Sequence, residues 1–181
     1  MSLTSSTSVN PNTFIARLYD MLTHSPYIFP KTIGGNQQAQ DLVQQIIQYE
    51  LPIPEAPREG GGPPHVYITL SKQQNPIFRN PLGRSNINQQ GPEEQTWEFY
   101  IIVVHHDVDY HTTEHNLNNL CQAITETLDL NKRMLDDTGA NPICAKLEWI
   151  LVPFLLDTDE RDVLAKNIVV RPHVFVNMRT S

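Results

Sequence analysis

The stretch from Gln95 to His105, QTWEFYIIVVH, constrains the fold more than any other part of the chain. Its aromatic and β-branched residues occupy both odd and even positions, and a strand that is apolar on both faces has to be covered on both. It therefore predicts a central strand around which the rest must pack. Three other segments read as strands. In HVYITL, His65 to Leu70, Val66, Ile68 and Leu70 alternate with His65, Tyr67 and Thr69. ICAKLEWILVPF, Ile143 to Phe154, reads as a further strand with Trp149 in its middle. In NIVVRPHVFVNM, Ile168, Val170, Val174 and Val176 face one way while Arg171, His173 and Asn177 face the other. Pro172 cannot donate to a ladder, which predicts that this last strand lies at an edge or carries a bulge.

The helical period appears three times. Asn10 followed by Pro11 reads as an N-cap with proline at the first helical position, and Phe14, Leu18, Met21 and Leu22 then share one face until Ser25 and Pro26 stop the run. A second helix is expected from a cap at Asn36, with Ala39, Val43, Ile46 and Ile47 on its apolar face, ending before Pro52. The third carries Leu117, Leu120, Cys121, Ile124 and Leu128 on one stripe, with Glu114 near its start and Lys132 and Arg133 just past its end.

Between these elements, LPIPEAPREGGGPP from Leu51 to Pro64 reads as an extended linker with a glycine hinge. Ser71 to Glu94 has no period and is filled with Asn, Gln, Pro and Gly, so it is expected to be a long loop that carries function or orders on a partner. Its contact residues would be Phe78, Arg79, Leu82 and Arg84. The Ser/Thr-rich residues 1–12 are expected to form a mobile arm, and residues 13–181 a single domain. Strands joined by loops pair antiparallel most readily, and the third helix must cross a face. The fold class expected is α+β: a mostly antiparallel β-sheet with helices packed on one face.

Thirteen Lys and Arg against twenty Asp and Glu give a formal charge of −7, which leaves no broad basic surface for gripping DNA. The sequence contains no apolar run of the roughly 20 residues a membrane-spanning helix needs, and its start lacks the regions of a signal peptide. A cytoplasmic protein with no membrane partner is expected. Cys121 and Cys144 each lie in an apolar segment and read as buried small hydrophobes, not as a disulfide.

The one stretch with metal-ligating character is VVHHDVDYHTTEH, Val103 to His115. His111 and His115 could share one face of a helix's first turn, with Asp107 or Asp109 supplying oxygen. The spacing is not H-E-x-x-H, however, and His105 and His106 fall on opposite faces of a strand. The simpler reading is a strand leaving the core, a polar turn, and a helix capped by Asp109, Thr112 or Thr113. LLDTDERD, Leu155 to Asp162, lacks the glycine and distal glutamate of a calcium loop. The glycines at 34–35 and 60–62 lack the lysine and hydroxyl of a phosphate loop, and no nucleophile motif appears. Glu93, Glu94 and Glu98 read as solvated charges without an evident partner. No catalytic residue, cofactor or resident metal is expected, and an interaction protein is the better class than an enzyme.

The order of the elements brings a family into view. An N-terminal helix, the PPHVYITL strand after a Pro/Gly linker, the EEQTWEFYIIVVHH strand, the NLNNLCQAITETLDLN helix and the late strands CAKLEWILVP and NIVVRPHVFVNM together resemble tail terminator proteins of tailed bacteriophages and related viruses. The resemblance spans Phe14 to Met178 and is one of element order, without a catalytic motif. It implies a small α+β subunit of a hexameric ring that caps the tail tube, fixes tail length and joins the tail to the neck. The partners it implies are further copies of the chain, the tail tube protein and a head-completion or neck protein, with DNA only as cargo through the channel. The location it implies is the virion tail or neck, assembled in the host cytoplasm. A head-completion or connector protein, and a His/Asp metal-dependent enzyme using His111 and His115, are the alternatives.

Overall fold

The computed structural model describes residues 11–28, 45–48, 62–70, 76–81, 92–106, 109–135, 142–154 and 163–177. In chain order these form α1 (Pro11–Thr23), β1 (Gln45–Gln48), β2 (Gly62–Leu70), β3 (Phe78–Pro81), β4 (Pro92–Thr96), β5 (Phe99–His106), α2 (Tyr110–Leu130), β6 (Lys146–Phe154) and β7 (Val163–Asn177). The strands make one sheet, in which β1 and β2 run parallel and every other pairing is antiparallel. With α1 and α2 packed on this sheet the class is α+β.

β5 is central, flanked by β2 and β7. Its odd residues Phe99, Ile101 and Val103 meet the helices, together with Val66 and Ile68 of β2 and Ile168, Val170 and Val174 of β7. From the other side this core receives Phe14, Ile15, Leu18, Met21 and Leu22 of α1, and Leu117, Leu120, Cys121, Ile124 and Leu128 of α2. Phe14 and Phe99 meet at a ring separation of 5.7 Å. The even residues Ile102 and Val104 are buried on the opposite face, as the apolar character of both faces requires. The two helices are tied together where Ser25, just past α1, bonds the hydroxyl of Thr127 on α2.

Four expectations need correction. Gln45–Gln48 is not the end of a helix but the strand β1, whose Ile46 and Ile47 lie opposite Val66 and Tyr67. Two β-branched residues beside an unfilled sheet edge gain a ladder there, which outweighs a helical period; Asn36, Ala39 and Val43 lie outside the described residues. The stretch from Ser71 to Glu94 is not loop throughout, because Phe78–Pro81 pairs with β4 through Phe78 opposite Thr96 and Arg79 opposite Gln95.

The third correction concerns Pro172. β7 is neither an edge nor bulged there: it lies between β6 on one side and β4 and β5 on the other. Thr96 faces His173 and Phe99 faces Val170, so the register runs unshifted across Trp97 and Glu98. The Trp97 N–H donates to the Pro172 carbonyl at 3.1 Å, and the return bond is the one a proline cannot make. That missing donor interrupts the single predicted strand as β4 and β5 without displacing either. The fourth difference is at Glu98, whose carboxylate is partnered by Arg171 and Tyr100.

Candidate functional site

On the sheet face away from the helices, one end carries interlocked polar side chains. Glu98 and Tyr100 are two residues apart, hence on one face, and Arg171 of β7 lies across from Glu98 in the common register. Arg171 donates to Glu98 Oε2 from Nε at 2.9 Å and from Nη2 at 2.8 Å, while the Tyr100 hydroxyl donates to Glu98 Oε1 at 2.9 Å. Glu98 is thus a partnered carboxylate with both oxygens engaged, not a solvated charge.

His173, two residues along β7, joins three strands. Its Nε2 is 3.2 Å from Glu148 Oε2 on β6, and its Nδ1 is 3.0 Å from Thr96 Oγ1 and 3.7 Å from Glu94 Oε1, both on β4. A proton on Nε2 donated to Glu148 leaves Nδ1 to accept from the Thr96 hydroxyl, which satisfies all three groups. Lys146 also bonds Glu148. The Lys146 ammonium first, and His173 second, hold the Glu148 carboxyl below the usual carboxylate range.

Hydroxyl, imidazole and carboxylate in line invite comparison with a nucleophile and its base. Thr96, however, is only 4% exposed, and its hydroxyl is directed at the imidazole inside the sheet. A nucleophile must meet substrate, so this line of groups acts as a brace across strands. The charges are each matched to a neighbour, leaving a surface that fixes strand register.

The histidine-rich stretch resolves into a junction. His105 is buried at the end of β5, and Asp109 caps α2, accepting from the Thr112 N–H at 2.9 Å and the Thr112 hydroxyl at 2.8 Å. The two Thr112 bonds are the main cause holding the Asp109 carboxyl below its ordinary value. Thr113 turns its hydroxyl back to the Asp109 carbonyl at 2.8 Å. His111 and His115 are exposed on the first turns of α2, and His115 Nε2 lies 3.1 Å from the Asn119 amide nitrogen. Among the described residues no group of three or more His, Cys, Asp and Glu is placed to hold a metal. Cys121 and Cys144 are buried free thiols, pushed up by burial to about 11 and about 12, hence protonated at neutral pH.

Of the loop contact residues, Phe78 and Arg79 fall in β3, whereas Leu82 and Arg84 lie outside the described residues, as do Asp157 to Asp162 and residues 1–10 of the arm expected at 1–12, whose last two residues, Pro11 and Asn12, open α1 instead. The Glu98–Arg171 and His173–Glu148 pairs escaped the sequence reading, although its alternation did place Arg171 and His173 on the polar face of their strand. Which carboxylates stand opposite depends on register between segments distant in the chain, 73 residues for Glu98 and Arg171 and 25 for Glu148 and His173. No protein-family model matches this sequence, and no curated protein shows significant similarity to it.

Proposed function

We propose that this chain is a virion structural protein of the tail-terminator type, a ring subunit that caps the tail tube, fixes its length and joins the tail to the neck. The observation that carries the reading is the arrangement of elements: an N-terminal helix and one long crossing helix on the same face of a mostly antiparallel sheet, in the order the resemblance calls for. Two features of the surface support it. On the far face Glu98, Arg171, Glu148 and His173 brace neighbouring strands, which suits a rigid assembly part. The net charge of −7 suits a channel that DNA passes through without sticking.

In this reading β3 and the residues that follow it, with Phe78, Arg79, Leu82 and Arg84, meet a neighbouring subunit or the tube. The test is the native mass of the full chain, alone and mixed with purified tail tubes, with bound metal measured on the same sample. A species about six times the 20.6 kDa chain, or binding confined to tube ends, is expected. A chain indifferent to tubes but binding the portal side of a head would instead identify a head-completion protein. A metal-loaded monomer would return attention to His111 and His115.

A further inference from the structure

We propose that β6 pairs antiparallel with β6 of a second copy of this chain, about a two-fold axis through Trp149. This does not rest on the tail reading, and it uses the side of the sheet remote from β3.

The Pro172 carbonyl accepts from Trp97, so even-numbered residues of β7 point their backbone groups toward β4 and β5, and odd ones toward β6. Consistently, the His173 carbonyl accepts from Ala145 at 2.7 Å on the β6 side. Glu148, opposite Arg171, and Ile150, opposite Val169, therefore spend their backbone groups on β7. Leu147, Trp149 and Leu151 point theirs outward, to an edge that no described strand occupies. Pro153 is next in that series and has no N–H to offer, which ends the open ladder.

An antiparallel pairing of a strand with itself must be symmetric about its axis. The open stretch begins where β6 begins, at Lys146, and stops before Pro153. Its three free positions are centred on Trp149. With the axis there, Trp149 exchanges reciprocal hydrogen bonds with the partner's Trp149, and Leu147 with the partner's Leu151. Pro153 then lies opposite Ala145, beyond the strand, where its missing donor costs nothing. An axis at Leu151 would set Trp149 against Pro153 and lose a bond on each side.

The side chains agree. Ile150 is 51% exposed and Leu151 41% exposed, on opposite faces of the same edge. A helix or loop laid on one face covers one of them, whereas a continuing sheet covers both. Across the proposed axis Leu151 meets the partner's Leu147, and the two indole rings adjoin. The edge is also locally neutral in a chain of net charge −7: Lys132 is 3.7 Å from Asp129, and Lys146 bonds Glu148. Two copies of this edge meet without the repulsion the whole surface would impose.

The test is crosslinking of the full chain. Residue 149 lies opposite itself, at the roughly 5.5 Å Cα separation of a hydrogen-bonded pair, inside the disulfide window. Residue 151 is about 14 Å from its own copy. Trp149→Cys should crosslink to dimer under air oxidation and Leu151→Cys should not, since the native cysteines are buried. Because Trp149→Cys also removes an indole that donates to Asp129, sedimentation of the unaltered chain provides the second reading. A dimer, or a larger assembly built from such pairs where the ring also forms, that weakens at least tenfold in Leu151→Lys is expected. Crosslinking at 151 and not 149, a wild-type monomer, or an assembly that Leu151→Lys leaves intact would overturn the pairing. The last outcome, if six-fold, would leave the tail reading standing.

Discussion

At the scale of single residues, the informative groups are those whose partners come from another strand. Glu98 is 14% exposed and receives bonds from both Arg171 and Tyr100. Glu98→Gln keeps the shape but removes the charge, and should destabilise by about 1 kcal/mol, held to that size because Arg171 remains open to solvent. Chemical unfolding of this variant and of Glu98→Gln with Arg171→Ala measures the coupling: the second change should cost less in the variant than in the natural chain. His65 offers a pH reading. Burial lowers its pKa from 6.5, where it stacks on Tyr67 at 6.2 Å. The folded state therefore takes up a proton less readily than the unfolded one, so this contribution is complete above pH 6.5 and falls as pH drops below it. His65→Gln should flatten that part of the stability curve, which thermal unfolding at a series of pH values would register.

At the scale of elements, Pro172 and β1 show local rules giving way for different reasons. Proline predicts an edge or a bulge, yet one absent N–H is a small loss against a ladder that continues in register on both sides of it. Pro172→Ala restores the donor opposite Trp97, and hydrogen exchange should find the new amide at 172 among the slowly exchanging ones, along with its neighbours in β7. Rapid exchange there would mean that Trp97 and residue 172 do not form a hydrogen-bonded pair. α2 follows its local rules throughout. Its stripe from Leu117 to Leu128 is buried, and of the three candidate caps Asp109 is the one that caps it. Asp109→Asn, which keeps an accepting oxygen, should preserve the melting temperature better than Asp109→Ala.

At the scale of the whole molecule, the open sides of the sheet are where assembly can be read. The tail reading uses the β3 side. Arg79→Ala with Arg84→Ala should weaken ring formation or tube capping while leaving the circular dichroism spectrum unchanged; unaltered assembly would remove these residues from the contact. The two-fold reading uses the β6 side, with Leu147, Trp149 and Leu151 as its free positions. Contacts on separate edges make the two proposals independently testable.

The sequence alone determined what depends on neighbours in the chain. The period of two in HVYITL and in the last strand, and the two apolar faces of Gln95 to His105, identified elements and their buried faces, and the period of 3.6 identified α1 and α2. Residue chemistry within a turn confined the cap of α2 to Asp109, Thr112 or Thr113, and the structure selects Asp109. Only the tertiary structure decided what depends on segments meeting from afar: that Ile46 and Ile47 join a sheet edge, that Phe78–Pro81 finds β4, and that Pro172 sits inside the sheet. It likewise set Arg171 against Glu98, and His173 between Glu148 and Thr96. A side chain's face follows from its own strand's alternation, but its partner follows from register, and register is fixed by the packing of the whole sheet against its helices.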